Sequence, residues 1–180
     1  MKIKKKILGK NIYLRSLSIK DITLTYLSWL QDKDINYYLE TRHEEQTISK
    51  IKKFVRSCNH SNDIYLFGIF TKTNIHIGNI KLGPIKARHS LAAISLFIGN
   101  KEFWGQSNGT ESIRILVNYS FKELGLNKLI ASMYANNTNS TKAFKMVGFT
   151  EEGFRKQHYK LEDKYVDILE LGLLNEGYKN

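Results

Sequence analysis

The chain has 180 residues, 42% hydrophobic and 25% charged, the make-up of an ordinary globular protein long enough to bury roughly 70% of its extended surface. Its 28 Lys and Arg against 17 Asp and Glu give a net charge of +11, but beyond Lys2, Lys4, Lys5 and Lys6 the basic residues are dispersed, and no nucleic-acid partner is expected. No apolar run is long enough to span a bilayer and the basic start leads into no apolar signal core, so the expectation is a cytoplasmic protein, neither inserted in a membrane nor exported.

Residues 11–17 read as a first strand. Ser18 to Asp21 has the S-x-x-D form of a helix start, residues 22–30 continue as an amphipathic helix, and a second short helical piece is predicted around 34–40. A further helix runs over 48–58. Strands at 64–70 and 75–82 are joined by a turn at 71–74, and residues 92–99 form the next strand. After it comes the turn Trp104-Gly105-Gln106-Ser107-Asn108-Gly109-Thr110-Glu111, and then Ile113, Leu116, Val117, Ser120, Phe121 and Leu124 recur at helical spacing. Asn108 and Glu111 are spaced as the N-cap and third helical residue of a capping box. A strand at 128–134 leads to Asn137-Thr138-Asn139-Ser140, the start of a short helix closed by Gly148. The last third is a hairpin, 152–160 and 165–173, turning at 161–164.

Two segments carry chemistry. The first-turn N–H groups of a helix lack internal partners and sit at the positive end of its dipole, so the turn 105–110 can receive a phosphate, and its glycines let a ligand approach the backbone. The same turn is equally a routine strand-to-helix connection. Asn137 can cap its own helix or hydrogen-bond a ligand, while Ala143, Phe144 and Val147 form a stripe suited to a core. Cys58 is the only cysteine, and His43, His60, His76, His89 and His158 lack the paired spacing of metal ligands, so no metal is expected.

The succession of strand, W-G-Q-S-N-G-T turn, long helix, strand, N-x-x-S helix and G-F resembles the GNAT superfamily of acyl-CoA-dependent N-acyltransferases, in particular the ribosomal-protein N-terminal acetyltransferases and their amino-sugar acetyltransferase relatives. Ser107 stands where that pattern has a central glycine, and Gln106 where it often has a basic residue. The resemblance implies an α/β fold over residues 1–180 as one domain: a central mixed, mostly antiparallel sheet flanked by helices, its fourth and fifth strands (92–99 and 128–134) splayed apart. It implies acetyl-CoA as acetyl donor, with phosphates on Gly105, Gln106, Ser107, Asn108, Gly109 and Thr110, and the pantetheine arm along Phe97, Ile98, Gly99 and Asn137. The positive net charge suits such a ligand.

Aminolysis of a thioester needs a neutral amine, a donor for the oxyanion and a departing thiolate. A backbone N–H of residues 97–99 is the expected oxyanion donor. Many GNAT members place a tyrosine acid at the position of Phe144, which cannot donate a proton, so Ser140 is the candidate acid, its rival role being a hydrogen bond to helix or cofactor. The base is left open among Glu40, Glu102, Asp167, His89 and a water chain. The acceptor is expected against Trp29, Tyr38, Glu40 and Arg42, within W-L-Q-D and Y-L-E-T-R, and against Asn79 and Lys81 of I-G-N-I-K-L-G. The favoured acceptor is a nucleotide-linked 4-amino sugar. The alternatives are a protein N-terminus, as of a ribosomal protein, and a non-catalytic module binding CoA or nucleic acid. A homodimer is admissible.

Overall fold

A computed structural model describes residues 5–176. Among them eight strands form one sheet: β1 (Ile7–Leu8), β2 (Ile12–Ser16), β3 (Tyr65–Thr71), β4 (His76–Lys86), β5 (Leu91–Ile98), β6 (Lys128–Tyr134), β7 (Thr150–Leu161) and β8 (Lys164–Leu174), in the order β1-β2-β3-β4-β5-β6-β8-β7. Every neighbouring pair is antiparallel except β5 and β6.

Period-two alternation sends the side chains of the central strands to two apolar layers. On β4, Ile80 and Leu82 join a core cluster with Ile113, Leu116 and Val117 of α4 (Asn108–Lys122) and Phe144 of α5 (Thr138–Lys145). On the opposite face, Tyr26, Trp29 and Leu30 of α1 (Leu24–Gln31) cluster with Ile51, Val55 and Cys58 of α3 (Ile48–His60), and Phe97 of β5 packs against them. The helices therefore cover both faces of the sheet, α4 and α5 on one and α1 and α3 on the other. A four-residue α2 (Lys33–Asn36) and a 3-10 turn at Glu40–His43 take the place of the helical piece read at 34–40.

The parallel pairing of β5 with β6 covers only Leu91↔Lys128, Ala92↔Leu129 and Ala93↔Ile130, although β5 runs on to Ile98 and β6 to Tyr134. The two strands part at their C-terminal ends and leave a gap in the middle of the sheet.

Local chemistry moves several boundaries. The S-x-x-D segment caps a single 3-10 turn, Ile19–Asp21, with Asp21 Oδ2 accepting from Ser18 N at 2.8 Å, so α1 begins only at Leu24 under its own cap Thr23. Burial opposes ionisation of Asp21, but Arg15, paired with it at 2.6 Å, and Ser18 together hold its carboxyl down to about 2. Beyond Leu82 a register shift carries the ladder on to Ile85↔Ala92 and Lys86↔Leu91, so β4 is longer than its apolar run.

Candidate active site

Between β5 and α4 the chain makes a 3-10 turn, Lys101–Phe103, and then coils through Gly105 (φ 73°) and Ser107 (φ 60°). Ser107, in the left-handed region, is itself the N-cap of α4, and Asn108 is already helical. The capping box read at Asn108 and Glu111 does not form: the cap position falls one residue earlier, and the Ser107 side chain makes no capping hydrogen bond. Asn108 is buried with its amide donating to Phe103 O at 3.1 Å, and the Glu111 carboxylate instead accepts from the backbone N–H groups of Asn11 (2.8 Å) and Ile12 (3.3 Å), two donors at the start of β2. Gln106 donates to Glu102 O at 2.6 Å. The helix ladder opens with Glu111 N–H on Ser107 O at 2.9 Å, so the N–H groups of Asn108, Gly109 and Thr110 lie ahead of it. They form a small-residue cradle with the electrostatics a pyrophosphate requires.

One strand away lies the edge of β5. Gly99 N–H donates to Ile77 O at 2.8 Å, on the β4 side, so of the three residues assigned to the pantetheine arm Gly99 has no N–H to offer. Bonding edges alternate along a strand, which turns Ile98 toward the gap, where the indole of Trp104 donates to Ile98 O at 2.9 Å. Ile98 N–H is the main-chain donor left facing the opening.

A cleft of ≈ 780 Å³ opens on the face of α1 and α3. Its floor is made of cross-strand neighbours, Asn79 opposite Phe97 and Lys81 opposite Ser95, and its walls include Tyr26, Ile51 and Phe54. At the rim stands Glu40, whose Oε1 accepts from Tyr134 OH at 2.5 Å; Tyr134, the last residue of β6, also accepts from Arg42 Nη2 at 2.7 Å. Burial first, and Glu40 second, push the Tyr134 phenol up, so it stays protonated. The cleft thus reaches from Phe97 on β5 to a carboxylate tied to the end of β6, the two strands that part.

The residues expected to hold the acceptor divide. Glu40, Asn79 and Lys81 meet in the cleft. Trp29 does not line it: it is 6% exposed, and a Cβ on Gly99 would lie 2.2 Å from its ring, so the indole is packed flat on the end of β5 and supports that strand. Tyr38 lies over β6, its ring 5.7 Å from that of Tyr134 and its hydroxyl on Asn136 O, and Arg42 is spent on Leu39 O, Tyr134 and Lys160 O. Both shape the rim from behind.

On α5, Asn137 is the N-cap, its Oδ1 accepting from Ser140 N at 3.2 Å, which leaves its NH2 for a ligand. Ser140 is half-buried in the first turn, and Phe144 is core, edge-to-face with Phe149 at 5.0 Å.

The family model for the Acetyltransferase (GNAT) domain matches residues 11–150. The chain belongs to the GNAT acetyltransferases. The probable N-acetyltransferase YjcK of Bacillus subtilis is 26% identical over 93% of this acetyltransferase and 96% of its own length, and the spermidine N(1)-acetyltransferase of Vibrio cholerae is 21% identical over 96% and 98%. The crystal structure of the Vibrio cholerae spermidine enzyme in complex with CoA and spermine superposes with a TM-score of 0.85, at 22% identity, over 96% of this chain and 100% of that one. A GNAT acetyltransferase from Bacillus anthracis gives a TM-score of 0.82 at 21% identity, over 96% and 99%. Acetyl-CoA is the donor of this family, and the first-turn N–H groups of residues 108–110, which lie ahead of the helix ladder, carry the partial positive charge that suits its phosphates.

For the GNAT enzyme the remaining base candidates separate by position. His89 lies in the turn before β5, at the opposite end of that strand from Phe97, roughly 20 Å away by strand rise. Asp167 accepts from Gln157 N at 2.7 Å and shapes the β7–β8 hairpin, and Glu102 belongs to the 3-10 turn ahead of α4. Glu40 alone among the four faces the cleft. Among the described residues no group of three or more His, Cys, Asp or Glu stands ready for a metal ion, and no helix is long and apolar enough to cross a membrane.

Proposed function

We propose that this acetyltransferase moves the acetyl group of acetyl-CoA onto the primary amine of a small acceptor that enters between α1, α3 and the sheet. The observation that carries this is the meeting of three features at one gap: the α4 amides on one face, the cleft on the other, and the parting of β5 from β6 between them. The thioester carbonyl then lies beside Ile98 N–H, which stabilises the oxyanion as the amine nitrogen attacks. A C–N bond forms and the C–S bond breaks. The Glu40 carboxylate, 64% exposed, takes the proton from the amine, directly or through water, and Ser140 supplies one to the departing sulfur.

A nucleotide-linked 4-amino sugar is our favoured acceptor. Lys50, Lys53 and Lys81 line the cleft against Glu40 and Glu44, and Glu44 is already paired with Lys50 at 3.7 Å, so a diphosphate finds complementary charge. A polyamine is the second reading, favoured by the likeness to the spermidine enzymes and by the open carboxylate of Glu40.

The test is a screen of amino-sugar nucleotides, polyamines and peptides with acetyl-CoA, read as released thiol and as product mass. Acetylation of an amine supports the proposal; CoA binding without turnover on any amine contradicts it. If Ser140 donates the proton, Ser140→Ala lowers kcat by about tenfold to a hundredfold with the Kd for acetyl-CoA unchanged. An equal loss in both makes Ser140 a binding residue.

A further inference from the structure

Asn79 is a buried carboxamide, 3% exposed, in the floor of the cleft, and its Nδ2 has no hydrogen-bond partner among the described residues. Its orientation is fixed from behind. His76 Nε2 lies 3.0 Å from Gly78 O and 3.0 Å from Asn79 Oδ1. Both are acceptors, so Nε2 must carry the hydrogen, and a flipped amide would set N–H against N–H. The carboxamide oxygen is thereby held toward His76, and the NH2 points away from that ring, buried beneath the floor that Asn79 lines.

His76 is itself clamped, with ring centroids 4.7 Å from Phe70, 5.1 Å from Trp29 and 5.9 Å from Tyr26. Burial lowers its pKa, which keeps the ring neutral near pH 7. The Asn79 amide also lies near the phenol of Tyr26, whose pKa is raised chiefly by burial, without completing a hydrogen bond to it. A polar group this deeply buried is costly without a partner.

We infer that Asn79 sets acceptor class in this site: its Nδ2 donates to an oxygen carried by the acceptor near the reacting amine, so the substrate is an oxygen-bearing amine rather than an alkyl polyamine. This rests on the transferase reading above. The reason is the one-way character of the group. An N–H donor needs a lone pair, and a protonated polyamine offers only further N–H donors, whereas a hydroxyl, carbonyl or carboxylate completes the bond. A site built to hydrogen-bond a substrate oxygen discriminates strongly against an analogue lacking it. Asn79 is paired across the strands with Phe97, one residue from Ile98, so the bond would hold the acceptor beside the reacting carbonyl.

The experiment compares kcat/KM for oxygen-bearing amines (glucosamine, a UDP-linked 4-amino sugar, a dipeptide) with that for spermidine and putrescine, in the wild type and in Asn79→Asp. The aspartate keeps the shape and the bond to His76 but puts an oxygen in place of the NH2. The wild type is expected to prefer an oxygen-bearing amine by at least about tenfold, and Asn79→Asp to shrink or reverse that ratio by about tenfold or more, with acetyl-CoA affinity retained. A wild type that prefers spermidine or putrescine overturns the inference, whether or not the variant folds. So does a ratio unmoved in a folded Asn79→Asp. Absence of thiol release with every amine instead overturns the transferase reading.

Discussion

Thr110→Pro is expected to raise the Kd for acetyl-CoA roughly tenfold to a hundredfold while leaving α4 intact, the loss of one hydrogen bond to a charged group being worth about 1.5–3 kcal/mol. Thr110 sits in the first turn, ahead of the first ladder bond at Glu111, so proline there removes an N–H that serves no helical partner. The residue before it is Gly109, which escapes the crowding that proline imposes on a preceding side chain. Calorimetric titration with CoA and a thermal melt check both halves. Unchanged affinity in a folded variant would remove the cradle from the cofactor site.

A second large effect is expected from Gly78→Ala. A Cβ at this position would lie 2.3 Å from Phe97 O and 2.9 Å from Ile98 Cα, and because both are backbone atoms the strand must move. The displaced segment is the one whose Ile98 N–H faces the gap. A shift of about 1 Å there should cost about a hundredfold in kcat, together with about 1–3 kcal/mol of stability. Gly153→Ala is the control, its Cβ meeting Glu170 at an ordinary 3.8 Å on the outer hairpin. Gly78→Ala with full turnover would show that this part of β5 does not hold the reacting carbonyl.

The sheet and its helices were legible because apolar periodicity is local, and the turn at 104–111 because glycine and small residues cluster there. What the chain order concealed is long-range or depends on a single backbone angle. Side-chain types alone suggest a capping box at Asn108, yet Ser107 takes the left-handed angle, and Glu111 is drawn off by the amides of Asn11 and Ile12, about a hundred positions away in sequence. Tyr134 reads only as the end of a strand; its bonds to Glu40 and Arg42 exist because β6 ends over the rim of the cleft. Trp29, an aromatic near charged residues, reads as a binding group, whereas its burial and the absent side chain of Gly99 place it in packing against β5.

His76 and Asn79 are three residues apart and by strict alternation would face opposite sides of the sheet. The shift in the β3–β4 ladder, where Ile69 pairs with Gly78 but Phe70 with His76, brings both to one face. A bulge of this kind leaves no unambiguous mark in sequence. Asn79 and Lys81 were nonetheless readable as neighbours lining one cleft, because the I-G-N-I-K strand puts 79 and 81 on the same side.

The most direct measurement is the crystal structure of this acetyltransferase with CoA. The account predicts a pyrophosphate on the N–H groups of residues 108–110 and a pantetheine arm in the gap between β5 and β6, its sulfur between Ile98 and Ser140. A CoA molecule seated elsewhere, with that gap closed by a continuous β5–β6 ladder, would contradict it.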